Sequence, residues 1–90
     1  MKLSDKVTIP AQVMARTVGA ETVILDLASG TYFGLDPIGA CIWQLMGEGK
    51  TLMEICDAMQ ATHDVSRADI ERDVLALAEE LQVQHLVSIA

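Results

Sequence analysis

TVILDLASGTYFGLDPIGACIWQLM, residues Thr22 to Met46, is the stretch on which the reading of the whole chain turns. It opens with a β-branched, alternating run, Thr22 to Leu27, and breaks at Ala28-Ser29-Gly30. A second short run follows, from Thr31 to Leu35. At Asp36-Pro37 the apolar period changes from two to about 3.6, with Ile38, Ile42, Leu45 and Met46 on one helical stripe. Asp36 suits an N-cap, and Pro37 stands where a helix tolerates proline, at its first position. The segment therefore reads as a hairpin that runs straight into a helix carrying Trp43.

Upstream, Val13 to Val18 has strand composition, and Gly19-Ala20-Glu21 makes a short turn into the next strand. Strands near 13–18, 22–27 and 31–35 joined by short loops predict an antiparallel meander. On the second strand Val23, Leu25 and Leu27 share one face, which is expected to be the core face, with Ile24 and Asp26 opposite. On the third, Phe33 and Leu35 are expected inward and Tyr32 and Gly34 outward. Residues 1–12 are polar and carry Pro10, so they read as a loose arm or a short extended piece.

Downstream, Gly47 and Gly49 end the first helix, near residues 37–47. Thr51-Leu52-Met53-Glu54 has capping-box form and opens a second helix near 52–62. Ser66 to Asp69 repeats the pattern and opens a third, near 67–84, with Ile70, Val74, Leu77, Ala78 and Leu81 inward. Leu86 to Ile89 forms a final strand or an extended tail. Three strands followed by three helices make a single α+β domain spanning residues 1–90.

Composition bounds the function. Half of the 90 residues are apolar but only 3% are aromatic, which predicts an aliphatic, methionine-rich core. Six basic against thirteen acidic residues give a net charge of −7, a poor match to a phosphate backbone, so nucleic acid is not an expected partner. No apolar stretch approaches the roughly 20 residues that span a bilayer, and the amino terminus lacks an apolar signal core. A cytoplasmic protein without a membrane partner is the expectation. Cys41 and Cys56 read as two buried, reduced thiols. With only His63 and His85 besides, neither a zinc site nor any other metal or cofactor site is expected.

No nucleophile, base and orienting group fall into a catalytic pattern, and Gly30, Gly34 and Gly39 form no phosphate cradle followed by lysine, so the chain reads as a non-enzyme. On the third helix Asp69, Asp73 and Glu80 share one flank, with Leu77 between that flank and the core. The ordinary reading of those carboxylates is a solvated face. The third strand is more informative, because nothing in Thr31-Tyr32-Phe33-Gly34-Leu35 protects its outer edge: there is no lysine, proline or inward charge. Such an edge is covered by the tail, paired with a second copy, or left open as a docking strip.

The string V-I-L-D-L-x-S-G-x-Y-F-x-L-D-x-x-G-A-x-I-W, from Val23 to Trp43, resembles the PqqD-like family, and the likeness extends from Val13 to Val87. The family comprises the recognition elements of ribosomal peptide (RiPP) natural-product biosynthesis. The resemblance implies a winged-helix-like fold. It also implies that the leader of a precursor peptide is taken up as an added strand between the third strand and the third helix. On this chain that groove would be Thr31, Tyr32, Phe33, Gly34 and Leu35 on one side and Asp69, Asp73, Leu77 and Glu80 on the other. The implied partner is a modifying enzyme, a leader peptidase or a radical SAM protein. Where PqqD of the quinone-cofactor pathway usually has a Pro-Glu pair, this chain has DLASG, Asp26 to Gly30, and is closer to the stand-alone modules of lasso-peptide clusters. The rival from another class is a winged-helix regulator acting through dimerisation or nucleic-acid binding.

Overall fold

The computed structural model describes residues 1–90. In chain order the elements are β1 (Val7–Thr8), β2 (Val13–Val18), β3 (Glu21–Asp26), β4 (Tyr32–Leu35), α1 (Pro37–Gly47), α2 (Leu52–Thr62), α3 (Arg67–Val83) and β5 (Ser88–Ile89). β2, β3 and β4 form an antiparallel sheet in that order, and the three helices follow it, as the change of period predicts. The three helix starts are capped as the sequence indicates. Asp36 accepts from the Gly39 amide, Thr51 and Glu54 exchange both bonds of a capping box, and Ser66 accepts from the Asp69 amide.

One face of the sheet lies on the helices, and the core gathers there: Ile24, Leu35, Ile42, Met46, Leu52, Ile55, Val74 and Leu81 are all buried. β3 turns the opposite way from the face expected of it. Ile24 is 0% exposed and Asp26 6%, whereas Leu27 is 61% exposed. Apolar residues occupy both faces of this strand, so their count favoured the wrong one. Asp26 decides it, because its buried carboxylate caps the following turn (below). Cys41 is also exposed, while Cys56 is buried as expected. The inward side of α1 is set by Gly39, Ile42, Trp43 and Met46, which turns both Cys41 and Ile38 outward.

The two chain ends meet. Within residues 1–12 only Val7–Thr8 form a strand, with Val7 opposite Ile89 and Thr8 opposite Ser88, and Ala90 donates its amide to the Lys6 carbonyl at 2.9 Å. Leu52 and Met53 donate to the carbonyls of Asp5 and Leu3, which fixes the arm to the start of α2. α3 ends in a left-handed residue, His85 (φ 60°), where glycine is usual. Leu86 then donates back to the Leu81 carbonyl at 2.9 Å, and both leucines are fully buried. This closure steers β5 onto β1 and away from β4. The tail therefore does not cover the outer edge of the meander.

Candidate functional site: the open edge of β4 and the cleft behind it

The turn before β4 is built by Asp26. Its Oδ1 accepts the amides of Ala28 (2.9 Å) and Ser29 (3.4 Å), and its carbonyl accepts that of Gly30 (2.8 Å). Gly30 has φ +77°, a conformation that side chains resist. Ser29 Oγ accepts the Thr31 amide, so the strand leaves the turn in a fixed register.

That register decides which backbone groups are free. Asp26 donates to the Thr31 carbonyl, and Ile24 stands opposite Phe33 and Thr22 opposite Leu35. Hydrogen-bonded pairs alternate along an antiparallel ladder, so Phe33 and Leu35 turn their N–H and C=O toward β3, as Thr31 does its C=O. Those of Tyr32 and Gly34 point away from the sheet. β4 is an edge strand, and these groups are offered to whatever lies beside it.

The next residue, Asp36, caps α1 through a 2.7 Å bond from the Gly39 amide, with Pro37 behind it. A Cβ on Gly39 would lie 3.2 Å from Leu35 Cδ2 and 3.3 Å from Asp36 Oδ1. Glycine thus lets the start of α1 close up against the end of β4. α3 is fixed from the other side by Arg67, which donates to Asp57 (2.6 Å) and Gln60 (3.3 Å) on α2 and to Glu71 (2.7 Å) on its own helix. Hydrogen bonds to Glu71 and Asp57 push the Arg67 pKa up, so the guanidinium stays charged.

Between β4, the start of α1 and α3 lies a cleft of about 240 Å³, lined by Phe33, Gly34, Leu35, Asp36, Gly39, Ile42, Asp73 and Leu77. It has an apolar floor and two carboxylates at its rim. Of the residues expected from sequence, Phe33, Gly34, Leu35, Asp73 and Leu77 meet here. Thr31 stays at the head of the strand, and Tyr32 lies on the outer sheet face, 74% exposed. Asp69 and Glu80 sit on α3 to either side of the cleft and do not line it. Asp69 instead pairs with Arg72 at 3.2 Å, and Arg72 also reaches Asp73 at 3.6 Å. Asp36, Gly39 and Ile42 were not expected. The cap Asp36-Pro37-x-Gly39 announces a helix start in the sequence but carries no sign of the cleft, and Ile42 joins the lining only through the packing of α1.

A second hollow, of about 530 Å³, lies past the end of β4 against Ala20, Glu21 and Pro37 and shares Gly34, Leu35 and Asp36 with the first. A third, of about 220 Å³, separates α1 from α2 and includes Cys41 and His63. The His63 ring is held by Thr62 Oγ1 (2.8 Å) and the Met59 carbonyl (3.2 Å). Burial pushes the Cys56 thiol up, so that group stays protonated. No helix is long and apolar enough to cross a membrane.

The family model for coenzyme PQQ synthesis protein D (PqqD) matches residues 21–87, which take in the meander's last two strands, all three helices and the cleft. The chain belongs to the PqqD family. Among solved structures, TbiB1 in complex with the TbiA(beta) leader peptide is 40% identical, with a TM-score of 0.81 over 89% of this chain and 93% of that one. A lasso peptide synthetase B1 complexed with the leader peptide shares the fold, with a TM-score of 0.83 over 92% of this chain and 98% of that one at 24% identity. No curated protein matches the chain. The likeness expected from Val13 to Val87 thus extends, in these two solved structures, over 89% and 92% of the chain.

Proposed function

We infer that this PqqD-family chain binds the leader segment of a ribosomally made precursor peptide and holds it for a modifying enzyme. The leader adds to β4 as a fourth strand, bonded to the N–H and C=O groups of Tyr32 and Gly34. Its inward side chains enter the cleft over Leu35, Ile42 and Leu77. Thr31 and Tyr32 complete the receiving strand, Asp73 rims the cleft, and Asp69 and Glu80 flank it on α3. The module supplies position and does no chemistry itself. The enzyme served is a leader peptidase or a radical SAM protein.

The observation that carries this reading is the unpaired β4 edge opening onto a cleft, in a chain 40% identical to TbiB1, itself solved with a leader peptide. An edge strand beside an apolar groove is the arrangement in which main-chain bonds give affinity and side-chain pockets give specificity. The regulator reading gains no support: α3 carries Asp69, Glu71, Asp73, Glu79 and Glu80 against Arg67 and Arg72.

The test is an amide-resolved titration with a synthetic leader from the precursor encoded beside this chain. Shifts are expected at Tyr32 and Gly34 and along Asp73–Leu77, with the peptide gaining strand structure. Ordering a free peptide costs roughly 2–5 kcal/mol of the gross interaction, so moderate affinity is compatible with the reading. Shifts confined to α2, or to the cleft around Cys41 and His63, would refute it.

A further inference from the structure

The cleft behind β4 does not end with the strand. The two hollows adjoin at Gly34, Leu35 and Asp36, and the trough they make is lined from Leu77 on α3 to Glu21, the first residue of β3. β4 itself spans only Tyr32–Leu35, about 13 Å at the rise of an extended chain. A leader longer than that must run on beyond the strand, and the trough lies along its path.

The chemistry of the trough is one-sided. Glu21, Asp36 and Asp73 line it from three separate elements, and no lysine, arginine or histidine does. Neither Glu21 nor Asp36 belongs to an ion pair; the pairs of this chain all involve Arg67 or Arg72. Arg72, 70% exposed, is shared between Asp69 and Asp73, and Arg16 stands two strands away on the outer sheet face, in line with Val23 and Gly34. The start of α1 brings a partial positive charge, but Asp36 already accepts its Gly39 amide and Pro37 has no N–H to offer. Negative charge therefore prevails over a floor of Leu35, Ile42 and Leu77.

We propose that this trough receives the part of the leader flanking its β4-paired segment and selects long basic side chains there. The aliphatic stem of a lysine or arginine lies on Leu35 and Ile42, and its charged head reaches Glu21, Asp36 or Asp73. The proposal rests on the reading that a leader strand joins β4. Charge complementarity of this kind sets partner choice and association rate, and it weakens with salt.

The experiment titrates a fluorescein-labelled leader from the neighbouring precursor, and the same peptide with every lysine and arginine replaced by glutamine, in low and high salt. The proteins are the wild-type chain, the triple variant Glu21→Gln/Asp36→Asn/Asp73→Asn, and a charge-matched control, Glu48→Gln/Asp64→Asn/Glu79→Gln, all outside the trough. Asp36→Asn keeps an oxygen to cap α1, and a thermal melt checks that each variant folds. Each lost rim pair is expected to weaken binding about two- to fivefold, so the triple variant loses roughly tenfold or more and its salt dependence flattens. The control binds as wild type, and the neutral peptide binds wild type as weakly as the native peptide binds the triple variant. In every case the amides of Tyr32 and Gly34 still shift. Binding at Tyr32 and Gly34 with an affinity indifferent to salt and to the triple variant would overturn the proposal alone. So would a control as weak as the triple variant, or a leader with no basic residue. Loss of the Tyr32 and Gly34 shifts for the wild-type chain would overturn the strand-addition reading beneath it.

Discussion

Leu77 and Leu81 stand one helical turn apart on α3 and should answer oppositely to the same change. Leucine to alanine removes three carbons, about 2.4 kcal/mol of transfer free energy at roughly 0.8 kcal/mol per buried group. Leu81 is fully buried, so Leu81→Ala loses all of it and adds a cavity, within the usual range of about 2–5 kcal/mol. At this chain length that lowers the melting temperature by roughly 10–30 °C. Leu77 is only half-buried and faces the cleft. Leu77→Ala should forfeit about 1 kcal/mol of stability, and a further 1 kcal/mol or so only when a peptide would have covered the exposed part. The second amount is about a fivefold rise in Kd. Trp43, the single tryptophan and buried beside Met46, reports unfolding in a urea titration, and anisotropy of a labelled leader reports binding. The expected pattern is Leu81→Ala weakly folded with a normal Kd, and Leu77→Ala well folded with a raised one. If Leu77→Ala unfolds as early as Leu81→Ala and its folded fraction binds like wild type, Leu77 belongs to the core and the cleft has no such floor.

Gly34→Pro removes an N–H that faces out of the sheet, leaving the β3–β4 bonds in place, and a Cβ there meets nothing within 4 Å. It should weaken leader binding about tenfold or more with little change in melting, while Gly34→Ala binds normally; equal binding by both would reject the strand edge as the site. His85→Gly relieves a left-handed residue, offset in part by the greater freedom of unfolded glycine, and should raise the melting temperature by a few degrees. A lower melting point would mean that the His85 side chain is itself needed. Glu54 has its pKa lowered from 4.5, first by the Thr51 amide and then by the Thr51 hydroxyl. A depressed carboxylate stabilises the fold above its unfolded pKa and loses that contribution as pH falls through the folded one. Urea titrations from pH 6 to pH 3 should therefore show a shallower loss of stability in Glu54→Gln, and parallel curves would count against the capping-box charge.

Where local chemistry decides structure, the sequence is legible. Asp36-Pro37, Thr51 with Glu54 and Ser66 announce three helix starts because a cap is a bond between residues three apart, and all three form. The open edge of Thr31–Leu35 is equally visible as the absence of any protecting residue. Faces are harder. Val23, Leu25 and Leu27 against Ile24 and Asp26 is a contest that hydrophobicity settles wrongly, since the carboxylate that looks like a surface marker is buried to make the turn. Cys41 fails similarly, because apolar neighbours in sequence are not neighbours on a helix. The pairing of Val7 with Ile89 has no local signature at all. The cleft is half-visible for the same reason: β4 and α3 announce themselves, but the contribution of Asp36, Gly39 and Ile42 arises only when a third element folds against them.

The pairing of β1 with β5 has a bearing on how such a module can be joined to others. Entry and exit of the chain lie side by side, on a two-stranded sheet that shares no strand with the one carrying β4. A tether at either end would leave from the same corner, and its pull would fall on the Val7–Ile89 pairing, not on β4. A linker of modest length could hold an enzyme at millimolar effective concentration while Tyr32 and Gly34 stay free to pair. Covalent fusion and free association would then present the same peptide edge, and the choice between them would cost the recognition surface nothing.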